Sequence, residues 1–286
     1  MLRSMLQIER TKLYGRKTLW IELALVAVIT VLLFGLILLV QSLEEVPKAE
    51  REMIASLLTL PDGVKVSLAL SSNQMLGGLL MIVLVSMVVA QEYTWQSYTL
   101  PVRAGIPRLT IVLSKFLMLL IPALLLAFTA LGIGLIMSAL VTLTVEGQID
   151  VSQINIVDLL LSTLITAYSL LPYMALTFMI AVLTRSLAAS LSVVAGYVFL
   201  VEGLVPPLLS LFGGTVAQIA LLMPGQLANA LLSATGQMNN MQIGTDAAPV
   251  ALDGVDPAAA VIGIAAYTVI FLAVAALRFQ KQDLTA

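Results

Sequence analysis

Six long apolar runs, divided by short polar segments, organise this chain. They lie at roughly Leu19–Val40, Ser67–Ala90, Ser114–Val141, Ile156–Leu183, Leu187–Ser210 and Ala258–Leu277. A helix crosses the hydrocarbon core of a bilayer in about 20 residues, so each run predicts one span. A transmembrane β-barrel would instead show short segments of alternating polarity. The expected fold is an all-α integral membrane protein with six transmembrane helices, forming a single transmembrane domain over 1–286.

The polar segments differ from one another. Residues 41–66 contain PKAEREMIASLLTL, which reads as a short amphipathic helix outside the membrane, and 142–155 form a small acidic loop. Residues 203–257 hold no Lys or Arg and are broken at Pro206-Pro207, Gly213-Gly214 and Pro224-Gly225. These breaks predict re-entrant helices, which are tolerated at membrane depth only where protein or a cavity surrounds them. A glycine- and asparagine-rich external loop follows from 237 to 256. The rival reading makes Thr215–Thr235 a seventh span and puts Arg278 and Lys281 on the opposite side.

Composition narrows the class. The chain is 60% hydrophobic and 10% charged over 286 residues, far below the roughly 25% charge of a soluble domain. Of its 14 basic residues, 11 fall at the N-terminus, in the second-to-third and fourth-to-fifth connections, and at the C-terminus. The positive-inside rule then places both termini in the cytosol; the expected location is the plasma or inner membrane. The first run is too long for the core of a cleaved signal peptide and is read as a span. Residues 1–18 carry Leu2, Met5, Leu6, Ile8 and Leu13 between basic residues, the pattern of an interfacial helix on an anionic leaflet. A net charge of −2 gives no sign of a nucleic-acid partner.

Candidate chemistry is sparse. The chain has neither Cys nor His, which removes disulfides, thiolate or His metal sites and the Ser-His-Asp arrangement. It also lacks the G-x-x-x-x-G-K-[ST] phosphate loop. No metal site, bound cofactor or catalytic residue is expected.

The segment 91–108, continuing to Lys115, is a polar island between two apolar runs. Glu92, Tyr93, Thr94, Trp95, Gln96, Ser97, Tyr98 and Thr99 mix charge with aromatic rings, and Ala104-Gly105-Ile106-Pro107-Arg108 turns the chain into the next span. This is the composition of a docking surface. Glu92-Tyr93, a polar helix, Arg103-Ala104-Gly105, Arg108 and Lys115 together resemble the permease subunits of type-2 ABC exporters, and the layout is similar over the whole chain.

That resemblance implies a cytosolic coupling helix over Glu92–Thr99 seated on a separate ATPase subunit, with Arg103, Gly105 and Arg108 shaping the return. It implies ATP and Mg on that partner, none on this chain, and a second permease chain, identical or different. Similar proteins often carry Gly-Thr where this chain has Gln96-Ser97. Lys115 by itself reads as a snorkelling side chain.

Polar residues inside the spans are the pathway candidates. Asn73 and Gln74 follow Ser71 and Ser72 in the second span, and Glu202 lies roughly two-thirds of the way across the fifth. Glu22 and Asp158 are read as interfacial. Ala188, Ser192 and Gly196 form a stripe suited to close helix contact, within the chain or across a dimer. Pro122 and Pro172 are expected to kink the third and fourth spans. The expected function is the permease half of an ATP-driven exporter of a hydrophobic or amphipathic substrate. The alternative is a transporter driven by an ion gradient, or a channel.

Overall fold

The computed structural model describes residues 2–42, 47, 56–72, 76–145, 147–149, 154–237 and 255–282. Asn73 and Gln74 lie outside these residues, as do Lys48, Arg51 and most of the 237–256 loop. Regular structure among the described residues is entirely helical. The elements are α1 (Leu2–Tyr14), α2 (Lys17–Ser42), α3 (Asp62–Leu70), α4 (Leu76–Thr94), α5 (Thr99–Arg103), α6 (Arg108–Val145) and α7 (Ile156–Ser169). There follow α8 (Leu171–Thr184), α9 (Leu187–Gly196), a π-helical stretch (Tyr197–Glu202), α10 (Gly203–Ser210), α11 (Gly214–Leu221), α12 (Pro224–Ala234) and α13 (Pro257–Gln280).

Six helical segments are long and apolar enough to cross a membrane. They are Lys17–Leu39, Leu76–Thr94, Arg108–Val145, Ile156–Thr184, Leu187–Leu209 and Pro257–Gln280. The number agrees with the sequence pattern; several boundaries do not. The second span begins at Leu76 rather than Ser67, because the apolar run is divided between α3 and α4. The third extends to 38 residues, about 57 Å at 1.5 Å per residue, so its ends project beyond a hydrocarbon core of about 30 Å.

Pro122 is accommodated inside α6. Pro172 instead marks a break at Leu170: it takes the first turn of α8, where its missing N–H costs no helical bond. Arg185, with φ 53°, is the left-handed cap that ends α8, and the hydroxyl of Ser186 accepts from Ala189 N to start α9.

After the π-helical stretch, α10, α11 and α12 contain 8, 8 and 11 residues. At about 12–17 Å, none crosses a bilayer by itself; α10 completes the fifth span, Leu187–Leu209, and α11 and α12 lie beyond it. The rival seventh span over 215–235 is not one helix, since Met223 is extended (ψ 145°) and Pro224 begins a new helix.

Helix α8 is the hub and packs against α13, α4 and α9. Helix α6 carries α2, α3, α1 and α7 on its other faces. Close approach to α3 depends on Gly134, where a Cβ would lie 2.7 Å from Ser67 Cβ, and Ser67 Oγ donates to Ala130 O at 2.8 Å. The outer surfaces of α2, α6 and α13 remain rich in exposed Leu, Ile and Val. That pattern suits a surrounding lipid phase, which offers no penalty for exposed hydrocarbon.

Candidate functional site

Five charged side chains from three helices meet at the basic end of the bundle. Glu9, Lys12 and Arg16 come from α1 and the turn after it, Glu92 from the end of α4, and Lys115 from the second turn of α6. Helix α1 reaches them through an i, i+4, i+8 stripe of Met5, Glu9 and Leu13, all buried. Lys115 is 1% exposed. Its Nζ donates to Glu9 Oε2 at 2.9 Å and pairs with Glu92 Oε2 at 2.7 Å.

Lys12 Nζ bridges the other two oxygens, 3.4 Å from Glu9 Oε1 and 3.3 Å from Glu92 Oε1. Arg16 stands 4.0 Å from Glu92 Oε1 and donates to Gln91 Oε1 at 2.9 Å and to Met87 O at 3.4 Å. The space between these groups is only about 10 Å³, too little for more than a single water. Three cations around two carboxylates satisfy the charges directly. Burial raises the Glu9 carboxyl, but Lys115 and Lys12 outweigh it and hold the group below its ordinary 4.5.

Aromatic rings continue the packing. Tyr98 is buried, with its ring 5.3 Å from Lys115 Nζ, 4.6 Å from the Tyr93 ring and edge-on to Phe279 at 5.2 Å. Burial, then the nearby Glu92 charge, pushes the Tyr98 phenol well above its usual range, so it stays a hydrogen-bonding group. Tyr93 OH donates to Gln282 Oε1 at 2.9 Å, and Gln282 Nε2 donates to Val182 O at 2.8 Å. The Arg108 guanidinium donates to Gln282 O at 2.7 Å and to Phe279 O at 3.3 Å. A cation there satisfies carbonyls left open at the C-terminal end of α13. The 91–108 segment is therefore fixed to α1 and α6 on one side and to α8 and α13 on the other.

The structure rearranges the expected coupling helix. Glu92, Tyr93 and Thr94 finish α4, Trp95 to Tyr98 form a turn, and Thr99 begins the five-residue α5. The turn follows from Gln96, whose φ is 52°, a left-handed conformation that disfavours side chains with a Cβ. Glu92 and Tyr98 point inward, whereas Thr94, Trp95, Gln96, Arg103 and Gly105 are exposed, and Tyr93, Ser97, Thr99 and Arg108 are partly covered. The outward surface is thus a tip carrying Trp95, 63% exposed, and Leu100, 73% exposed. Lys115 does not snorkel; it is the centre of the ion cluster.

A second polar site lies on the fifth span. Glu202 ends the π-helical stretch and is 6% exposed. Its Oε2 accepts from Tyr173 OH, and its Oε1 accepts from Gly225 N at 3.2 Å. Gly225 belongs to the first turn of α12, a favourable place for a negative group. Beside Glu202 opens a groove of about 310 Å³, lined by Val198, Phe199, Glu202, Gly203, Pro207 and Gln226.

A model for a family described as a protein of unknown function, DUF2705, matches residues 55–285. The chain belongs to the DUF2705 family. No curated protein matches it. The DUF2705 match takes in Glu92, Lys115, Glu202 and Tyr173, while Glu9, Lys12 and Arg16 precede it. The ion cluster therefore joins the matched region to a helix outside it.

Some partners in these sites were not assigned from the sequence. Glu9 is the one acid among the first 21 residues, which was the available signal. Tyr173 carried none, because only folding brings it to Glu202, and Gly225 was read as part of a helix break rather than as a donor to Glu202. Glu22, expected at the interface, is buried on α2, and its Oε1 has no partner among the described residues. Asp158 is exposed in the first turn of α7, whose N-cap Asn155 accepts from Val157 N at 3.0 Å. Ala188 and Ser192 are exposed and Gly196 meets no neighbour within 4 Å of a built Cβ; among the described residues this stripe forms no close helix contact.

Proposed function

We propose that this chain is the permease subunit of an ATP-binding cassette exporter, with ATP and Mg held by a separate ATPase subunit. The observation that carries the reading is the connection between the exposed Trp95–Leu100 tip and the buried Glu9–Glu92–Lys115 cluster behind it. A partner pressing on the tip acts on α4 directly, on α1 and α6 through ion pairs, and on α13 through Arg108 and Tyr93. Buried, geometrically matched ion pairs resist separation, so the segment moves as a unit with those helices.

In this mechanism the basic end of the bundle faces the cytosol. Residues 2–14 lie along the inner leaflet, with exposed Ile8 and Tyr14 towards lipid, and α11 and α12 form re-entrant elements near the outer face. Closure of two ATPase subunits on nucleotide displaces two tips. The spans then switch access because nucleotide binds one conformation better than the other; equal affinity would shift nothing. The unused Ala188–Ser192–Gly196 face suits the second permease chain.

A gradient-driven transporter is the second reading, and buried Glu22 is what favours it, since a buried carboxyl within a span is a common coupling group. Purification of the tagged full chain from native membranes separates the two. Retention of a phosphate-loop ATPase subunit, lost on Trp95→Ala with membrane insertion unchanged, supports the exporter. Absence of such a subunit, together with proton or cation uptake abolished by Glu22→Gln, supports the second reading.

A further inference from the structure

We propose that the groove beside Glu202 binds a lipophilic organic monocation. The inference rests on the permease reading for its role as a substrate site, but the binding itself belongs to this chain.

The argument begins with the carboxylate. Gly225 N can only donate, and it points at Oε1 from the first turn of an 11-residue helix. Tyr173 OH donates to Oε2, and the Tyr197 hydroxyl lies beside the same group. Donors on both oxygens and a helix N-terminus favour the anion. No Lys or Arg among the described residues pairs with it. Burial works against a charge compensated only by neutral dipoles, so the arrangement is electrostatically incomplete.

The groove supplies the missing partner's shape. Its walls are Val198, Phe199 and Pro207, with Gln226 as the other polar side chain on the lining. About 310 Å³ falls at the lower end of the range for pockets that take small organic ligands, and apolar walls with few polar groups are their usual make-up. Phe199 is exposed on the outer face of the span and offers a ring to a passing cation. A large apolar body with one positive charge satisfies all of these features. An inorganic cation would leave the apolar walls uncovered, and an anion would be repelled.

The π-helical stretch is part of the site. It adds a residue to the helical turn at Tyr197–Glu202, a distortion common where helices carry function. Gly203 follows directly and keeps the groove open: a Cβ there would meet only Val198 O, at 3.7 Å.

The full chain in lipid nanodiscs, without any ATPase subunit, provides the test. Tetraphenylphosphonium is the probe, and tetraphenylborate, of nearly the same shape and opposite charge, is the control. Saturable phosphonium binding is expected, weakened about tenfold or more by Glu202→Gln, with no saturable borate binding. Since Glu202 also braces α12, Gly203→Leu is the second variant. Its Cβ meets only Val198 O, at an ordinary contact distance of 3.7 Å, while the side chain narrows the groove, so it is expected to abolish phosphonium binding at unchanged thermal stability. Equal binding of the two probes, or unchanged phosphonium binding in either variant, overturns the proposal. Phosphonium binding in the nanodisc, with no ATPase subunit retained on purification from native membranes, upholds the site and removes the exporter; a retained ATPase partner without phosphonium binding does the reverse.

Discussion

Lys115 of α6 and Glu92 of α4 meet at 2.7 Å in a place closed to solvent. The pair converts a polar loop, of a kind that usually moves freely, into an extension of two spans. Removing the ammonium leaves two buried carboxylates with one cation fewer. Lys115→Met is therefore expected to destabilise the folded protein by about 3 kcal/mol or more, read as a lower midpoint of thermal unfolding in detergent. Combining it with Glu9→Gln should cost less than the sum of the single changes.

The same cluster sets a pH response. Glu9 is held below its ordinary 4.5 by Lys115 and Lys12 despite burial, with Glu92 and Arg16 the other charges facing it. A depressed folded value means that its contribution is full above the unfolded value and lost as pH falls through the folded one. Docking of α1, followed by hydrogen exchange over 2–14, should hold steady from neutral pH down to about 5 and weaken only in stronger acid. Glu9→Gln should flatten that acid limb.

Gln96 offers a test in the opposite direction. Its φ of 52° costs an ordinary residue about 1 kcal/mol. Gln96→Gly should relieve that strain and raise stability by a comparable amount. A loss of stability would show that the turn does not take this conformation.

The Glu202 brace acts on α12 alone. Tyr173→Phe removes one donor to the carboxylate and should speed hydrogen exchange over 224–234, leaving exchange at 2–14 unchanged. A uniform effect across the chain would mean that Tyr173 serves general packing.

Much of the fold was legible because membrane insertion depends on long apolar runs, which a sequence displays directly. Helix ends were less legible where tertiary geometry decides them. The run from Ser67 divides between α3 and α4, and α6 begins at Arg108 because it projects out of the apolar layer. The sites were only half visible. Glu92 and Glu202 stand out as acids beside apolar runs, but Glu92's partner Lys12 lies 80 residues earlier on α1, and the partners of Glu202 lie on elements remote in sequence. The pattern around Lys115 carries no sign of Glu9, and burial reverses what an isolated lysine at a span end would do.

The exporter reading is tested most directly at the exposed tip. The chain has no cysteine, so Leu100→Cys, at a side chain 73% exposed, creates a unique attachment point for a short photo-crosslinker in native membranes. The account predicts a crosslink to a phosphate-loop ATPase subunit that disappears when Trp95→Ala is added. A tip that stays uncrosslinked, or that crosslinks only to lipid, contradicts it.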